Sequence, residues 1–448
     1  MSQLVTEVLD RAGASAASAG LSRETVEAYS RHRAEPEWLR DARLAAWERY
    51  EALSKPTMRD EGWRRTDLSA LDLERLAAPP NGFVQLASPD GAKPTGRDAA
   101  RAGLLTLRNG HVHRAALDDR LASRGVVLTS LAEAVAGYPE LVHVYLASER
   151  PATENKFAAL SAALWDDGVF VYIPRGEVVD SPFDIVHSDD TSSAALTRTL
   201  IVADEGSGAT LVESYAAPAR RTESLSCGLV DVIVKQGAQF SCVQLQQRDH
   251  QCWSFASMRS EQERDSAVTW LVLGLGGRLS RTELACEVLG QGAEADLIGM
   301  VFGEDGQHFD FQTLQNHVGD DSRSDLLLKV ALRDQATSNF TGLVRVGMTA
   351  LRTSSNQENR NLLLSDQAKA DSDPKLEILN SDVVRCGHGA TVGPVDPEMI
   401  FYLMTRGLSH DEAERLIVEG FFQPLLARVP LEGVRKRLWG AIQRRLEK

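Results

Sequence analysis

The alternation of apolar and polar positions changes texture twice along the 448-residue chain. Residues 1–165 read as mostly helical. Ser22 is placed to N-cap a helix running from Arg23 towards Arg33. Pro36 suits the first turn of a second helix, whose apolar stripe is Leu39, Ala42, Ala46, Tyr50 and Leu53 at helical spacing. The run from Ala77 to Gly82 reads as a break and Pro89 to Gly96 as a loop. A short helix is expected over 154–165.

Residues 166–393 carry short apolar or alternating runs instead: 169–173, 200–203, 229–234, 269–273 and 308–314. Gly, Asp, Ser and Gln separate them. Amphipathic helical patterns are scarce here, which argues against a doubly wound α/β sheet. A small or polar turn followed by an alternating strand recurs at Gly208, Gly237, Ser266, Gly292, Gly306 and Gln335, in steps of 29, 29, 26, 14 and 29 residues. Such a period fits the coils of a β-solenoid, each burying its inward positions by stacking on the next. A large antiparallel sandwich would give similar turn spacing.

Residues 394–448 are helical and sharply punctuated. Asp396-Pro397-Glu398 combines an N-cap, Pro at N1 and an acidic first turn, and Gly407 suits the C′ position. Ser409 to Glu412 spells a capping box, and Pro424 is expected to end or kink the helix that follows. A last helix, from Leu431 to about Leu446, is basic on one face. Its charge suits an acidic partner or a membrane surface, against which stands a solvated face, and its apolar stripe (Leu431, Val434, Leu438, Ala441, Ile442) calls for docking on something.

Composition narrows the class. Hydrophobic residues are 43% and charged residues 25%, as in soluble globular chains. No apolar run approaches a membrane span, and the N-terminus shows no secretory pattern. Five scattered cysteines (Cys227, Cys242, Cys252, Cys286, Cys386) read as free thiols in a reducing cytoplasm. A net charge of -14 makes nucleic acid a poor partner.

Familiar catalytic motifs are missing. There is no Walker A loop, no G-x-S-x-G elbow and no C-x-x-C. The run Gly274-Leu-Gly-Gly277 reads as a solenoid turn rather than a dinucleotide loop. One constellation stands out from Asp382 to Gly393. Cys386 and His388 are two apart, so on a strand a thiol and an imidazole share one face. Two ligands are an incomplete metal site, which a second chain would have to finish; a buried Cys beside a hydrogen-bonded His is the plain alternative. His308 and Asp310, with His317, Asp320 and Asp321 following, form a second candidate, against which stands a solvated strand face.

The C-terminal third resembles the SufB/SufD family of iron–sulfur cluster assembly scaffolds. The likeness runs through Asn316-His317, Ser338 to Gly342, Gln357 to Ser365, Pro374 to Ile378, Cys386-Gly-His388-Gly-Ala-Thr391 and Phe401 to Gly407. Weaker echoes lie at Glu35 to Leu39, Trp63 to Asp67 and Asn155 to Leu160. The motifs are of the SufD rather than the SufB type. SufB-type chains have a cysteine where this chain has Asn361, and a His-Glu-Ala-Thr motif where it reads His388-Gly389-Ala390-Thr391.

The resemblance implies a mainly β chain: a right-handed parallel β-helix over 166–393, flanked by helical regions 1–165 and 394–448. It implies a non-catalytic scaffold, pairing with a SufB-like subunit through the end of the β-helix and docking SufC-like ABC ATPase subunits through its C-terminal helices. Phe401, Tyr402, Arg406, Gly407 and Phe421 are the expected docking residues. His388, and less firmly Cys386, would sit where a nascent cluster forms, sharing transient iron or an iron–sulfur cluster with the partner. No permanently bound group is implied, and reduced flavin is left open. A cysteine desulfurase system would contribute indirectly. The isolated chain could homodimerise through the same surface. The rivals are a paralogue that works as a homodimeric scaffold and a β-helix carbohydrate-active enzyme.

Overall fold

The computed structural model describes residues 21–77, 101–147, 155–188, 194–216, 223–429 and 431–447. The Pro89–Gly96 loop, the break beyond Ala77 and the start of the 154–165 helix lie outside them.

The first zone contains α1 (Arg23–His32), α2 (Glu37–Ala52), α3 (Leu73–Ala77), α4 (Asp119–Ser123), α5 (Leu131–Gly137), α6 (Pro139–Leu146) and α7 (Lys156–Leu164). Ser22 caps α1 by accepting from the Thr25 amide, as its sequence suggests. In α2 the buried stripe is Leu39, Arg43, Ala46, Trp47 and Tyr50. The unforeseen members are Trp47 and Arg43, whose guanidinium makes a bidentate pair with Glu35 (2.8 Å to each oxygen) and donates to the carbonyls of Ala163 and Trp165. A full set of partners is what allows that charge to be buried. The zone also holds β1 (Gly103–Arg108), β2 (His111–Leu117) and β3 (Val127–Ser130), which the hydrophobic pattern did not single out.

The solenoid follows: β4 (Asp167–Ile173), β5 (Phe183–Ser188), β6 (Ala195–Ala203), β7 (Gly208–Ala216), β8 (Ser224–Val234), β9 (Gln239–Gln247), β10 (Cys252–Gln262), β11 (Ala267–Gly274), β12 (Leu279–Val288), β13 (Glu294–Gly303), β14 (His308–His317), β15 (Arg323–Leu332), β16 (Thr337–Val346), β17 (Thr353–Leu363), β18 (Lys369–Ile378) and β19 (Val383–Pro394). Even-numbered strands from β4 to β18 lie in one sheet and odd-numbered strands from β5 to β19 in the other. Neighbours pair in parallel, and only the β1–β2 and β3–β4 pairs at the N-terminal end are antiparallel. The sandwich alternative is thereby excluded. The odd 14-residue step also finds its cause. Gly292 precedes a strand of one sheet and Gly306 a strand of the other, so the step is half a coil.

One corner of the coils is held by a backbone ladder. The amides of Gly206, Gly237, Asp265, Gly292, Asp321 and Arg352 each donate to a carbonyl of the next coil, at 2.7–2.9 Å. All six residues have positive φ. Glycine meets that demand at three of them, and two of the others are Asp, which tolerates the left-handed region.

The interior is apolar through the first and middle coils, with Leu211, Phe240, Trp270, Leu297, Leu326 and Val330 at its centre. α7 lies against the even sheet: its Phe157 stacks on Phe255, with ring centroids 3.6 Å apart. The last zone is α8 (Pro397–Thr405), α9 (His410–Leu426) and α10 (Glu432–Leu446). Asp396 caps α8, and both bonds of the capping box start α9. α9 continues past Pro424 to Leu426 rather than ending there.

α10 answers the docking question internally. Val434, Leu438, Ala441 and Ile442 are buried against the outer face of the odd sheet, with Val243, Leu271, Ile298 and Met300. Two of its basic side chains meet the solenoid's own acids. Arg437 pairs with Asp184 and donates to Ser214 (3.1 Å), while Arg445 pairs with Glu304 and donates to the Leu275 carbonyl (2.6 Å). These two basic side chains are therefore engaged within the chain, while Lys436 and Arg444 remain exposed. No helix among the described residues is long and apolar enough to cross a membrane.

Candidate functional site

The last coil is the open end of the solenoid. β18 and β19 are the terminal strands of their sheets, so each leaves one edge unpaired. Their side chains are exposed or half-exposed along almost the whole length. Val384 (71% exposed), Val392 (46%), Ile378 and Leu379 stand uncovered there. Long unpaired edges with exposed apolar residues are aggregation hazards unless something covers them.

Cys386 and His388 lie on β19. Cys386 pairs in register with Ser355 and His388 with Gln357, and paired residues on parallel strands point to the same side. Ser355 and Gln357 belong to the buried, inward-facing set of β17. Cys386 and His388 therefore continue the interior of the solenoid to its open mouth. Cys386 is half-buried against Val344, Val346 and Ala350, and this burial raises its thiol pKa. Its neighbour two positions on, His388, is exposed. The shared face expected from the i, i+2 spacing is thus present, and it offers one soft and one borderline ligand.

Beneath these two residues the interior turns polar. In register, Leu297 and Leu326 are followed by Gln357 and then His388, and Val330 is followed by Asn361. The inward set of β17 is Thr353, Ser355, Gln357, Asn359 and Asn361, where β15 has Ser324, Leu326, Leu328 and Val330. Gln315 donates to Ser324 at 2.6 Å, and Ser324 lies 2.8 Å from Ser355. His317 bonds Ser322 (2.8 Å) and Ser324 (2.7 Å), and burial takes its pKa down to about 4. It is remote in chemistry from Asp320 and Asp321. Asp320 accepts from the Leu351 amide, and Asp321 pairs with Arg352, which holds its pKa down to about 2.

The second candidate dissolves on both readings. Asp310 is fully buried, not a solvated strand face. It pairs with Arg281 and accepts from Thr66 (2.6 Å), Gln312 (2.7 Å) and Asn339 (3.0 Å), leaving no lone pair for a metal. His308 bonds Thr66 and Thr337, and burial lowers its pKa. The Trp63–Asp67 segment packs here, with the Arg281 guanidinium 3.6 Å from the Trp63 ring centroid. His250, Glu304 and Asp305 bring ligand atoms together elsewhere, but the Arg445 guanidinium already bonds Glu304 and His250. The Gly274–Gly277 run is a turn against the preceding coil: a Cβ on Gly276 would stand 2.2 Å from the Arg248 carbonyl oxygen.

The expected docking residues separate. Phe401 (69% exposed), Tyr402 (55%) and Arg406 share α8 and its C-cap, with the Arg406 guanidinium 5.1 Å from the Tyr402 ring centroid. Met399 and Met404 extend the exposed apolar surface. Gly407, at φ +97, ends the helix. Phe421 instead turns to its own solenoid, where Lys329 lies over its ring and donates to its carbonyl at 2.7 Å. Sequence reasoning did not single out Gln357, which lies inward beside His388 in register. Its only signal was its place in the Gln357–Ser365 run.

Comparison with known proteins matches this architecture. The model of the SUF system FeS cluster assembly SufBD core domain matches residues 185–421, and that of the SufBD protein N-terminal region matches 95–185. The chain is 28% identical over 441 residues to the iron-sulfur cluster assembly protein SufD of Bacillus subtilis, covering 95% of this chain and 98% of that protein. It is also 28% identical over 428 residues to SufB of the same organism, covering 92% and 90%. An iron-sulfur cluster assembly SufBD family protein of Staphylococcus haemolyticus is 29% identical over 427 residues, covering 92% and 90%. Identity does not separate the two B. subtilis relatives, but with the core model matching more than half of the chain, from β5 into α9, the chain belongs to the SufBD family of iron–sulfur cluster assembly proteins.

Proposed function

We propose that this chain is a SufD-type scaffold, without catalytic activity of its own, in an iron–sulfur cluster assembly complex. The observation that carries the reading is the pair Cys386 and His388 at the uncovered mouth of the solenoid, on a strand with a free edge. A SufB-like subunit would cover the β18 and β19 edges and bring the remaining ligands for iron or a nascent cluster, which is cargo here. Asn361 supports the SufD side of the division. It is buried and donates to Asn359 (2.7 Å) and the Thr391 carbonyl (3.1 Å), so an amide occupies the place where SufB-type chains carry a thiol.

The exposed α8 surface around Phe401 and Tyr402 suits docking of a SufC-like ATPase, whose nucleotide cycle would shift the subunit interface. Sulfide would arrive through the SufB-like partner from a cysteine desulfurase system. The test is His388→Ala in the co-expressed complex. The complex should assemble normally and load cluster poorly; normal loading would remove His388 from the mechanism.

A further inference from the structure

Gln357 stands apart from the other inward amides near the mouth, Asn359 and Asn361, which each donate a hydrogen bond. It is fully buried, and neither its amide nitrogen nor its amide oxygen has a hydrogen-bond partner. The same inward position is Leu297 and Leu326 in the two preceding coils, so an apolar side chain fits this layer of the solenoid. Burying an amide without partners costs stability that a leucine would not. Room has been made for it: a Cβ on Gly342 of the facing sheet would stand 2.5 Å from Nε2 of Gln357. Directly outward, on the same face and in register, is His388. Adjacent strands are about 4.8 Å apart, within reach of a long amide side chain.

We propose that Gln357 is a positioning residue for His388: its amide oxygen accepts the proton of one imidazole nitrogen and leaves the other nitrogen free to bind a metal ion at the mouth. Metal-binding histidines ordinarily have such a partner on their second nitrogen, which fixes tautomer and ring orientation. The proposal rests on the reading of His388 as a ligand given above.

Cobalt(II) titration of the full chain, followed by its visible absorption, tests it in four forms: wild type, His388→Ala, Gln357→Leu and Gln357→Glu. Gln357→Leu should weaken the His388-dependent binding by about 10- to 100-fold without lowering the melting temperature, because it removes an unpartnered amide. Gln357→Glu keeps an acceptor oxygen and should bind as wild type or more tightly. Histidine ¹⁵N spectra should show one dominant His388 tautomer in wild type and a mixture in Gln357→Leu. If Gln357→Leu matches wild type in affinity and tautomer while His388→Ala abolishes binding, the positioning role is wrong and the ligand reading stands. If wild type and His388→Ala bind cobalt(II) alike, both fall.

Discussion

The amide of Gln357 lies over Gly342 inside the solenoid, so close that a Cβ on Gly342 would stand 2.5 Å from Nε2. The two residues come from different sheets and from two motifs that looked unrelated in the sequence. Gly342→Ala should therefore overpack this layer and cost about 1–3 kcal/mol. Combining it with Gln357→Ala should recover part of that loss, because the Phe340 ring, also 2.5 Å from that Cβ, still crowds it. Denaturant unfolding of the two single variants and the double variant measures the coupling. Additive losses would mean that the contact is not tight.

Asp310 joins the N-terminal segment to the solenoid through Thr66 and Arg281. Asp310→Ala would leave the buried Arg281 guanidinium with Glu283 as its remaining carboxylate partner. A loss of about 3 kcal/mol is expected for breaking such a pair. Hydrogen exchange should quicken in residues 61–77 before it does in the middle coils. Unchanged exchange there would mean that the segment is held by its apolar contacts alone.

His317 makes folding pH-dependent. Its pKa is about 4 in the folded chain against 6.5 for a free imidazole. The unfolded chain thus binds more protons between those values, and stability rises with pH across that window. The contribution is complete above pH 6.5 and is lost as pH falls towards 4, by about 3 kcal/mol. His317→Asn should flatten the melting temperature between pH 4.5 and 7 relative to wild type. An equal slope in both proteins would place the titration elsewhere.

Local chemistry was legible in the sequence and long-range coverage was not. Ser22, Asp396 and Ser409 announced their helix starts because a cap involves only the next few residues. The strands of the solenoid were legible because each coil repeats the same inward alternation, and the i, i+2 relation of Cys386 and His388 needed only a strand. Asp310 was misread because the segment that covers it lies more than two hundred positions earlier in the chain. Arg43 was missed because a buried arginine depends on partners from Glu35 and from the end of α7. β1 and β2 form a short hairpin whose place is set by β5, which follows after four intervening helices.

α10 is held by one apolar stripe and two arginines. Leu438→Ala should cost about 2–5 kcal/mol if the helix unfolds with the solenoid. If it detaches first, global stability will change little and exchange over 432–446 will rise sharply. Either outcome is consistent with docking on the odd sheet; protection equal to wild type would contradict it.

The central claim is that the open end of this solenoid is completed by another subunit. Co-expression with SufB-like and SufC-like partners, followed by native mass measurement of the purified assembly, tests it most directly. The account predicts one copy of this chain per SufB-like subunit together with two ATPase subunits. A monodisperse homodimer that binds neither partner would contradict it.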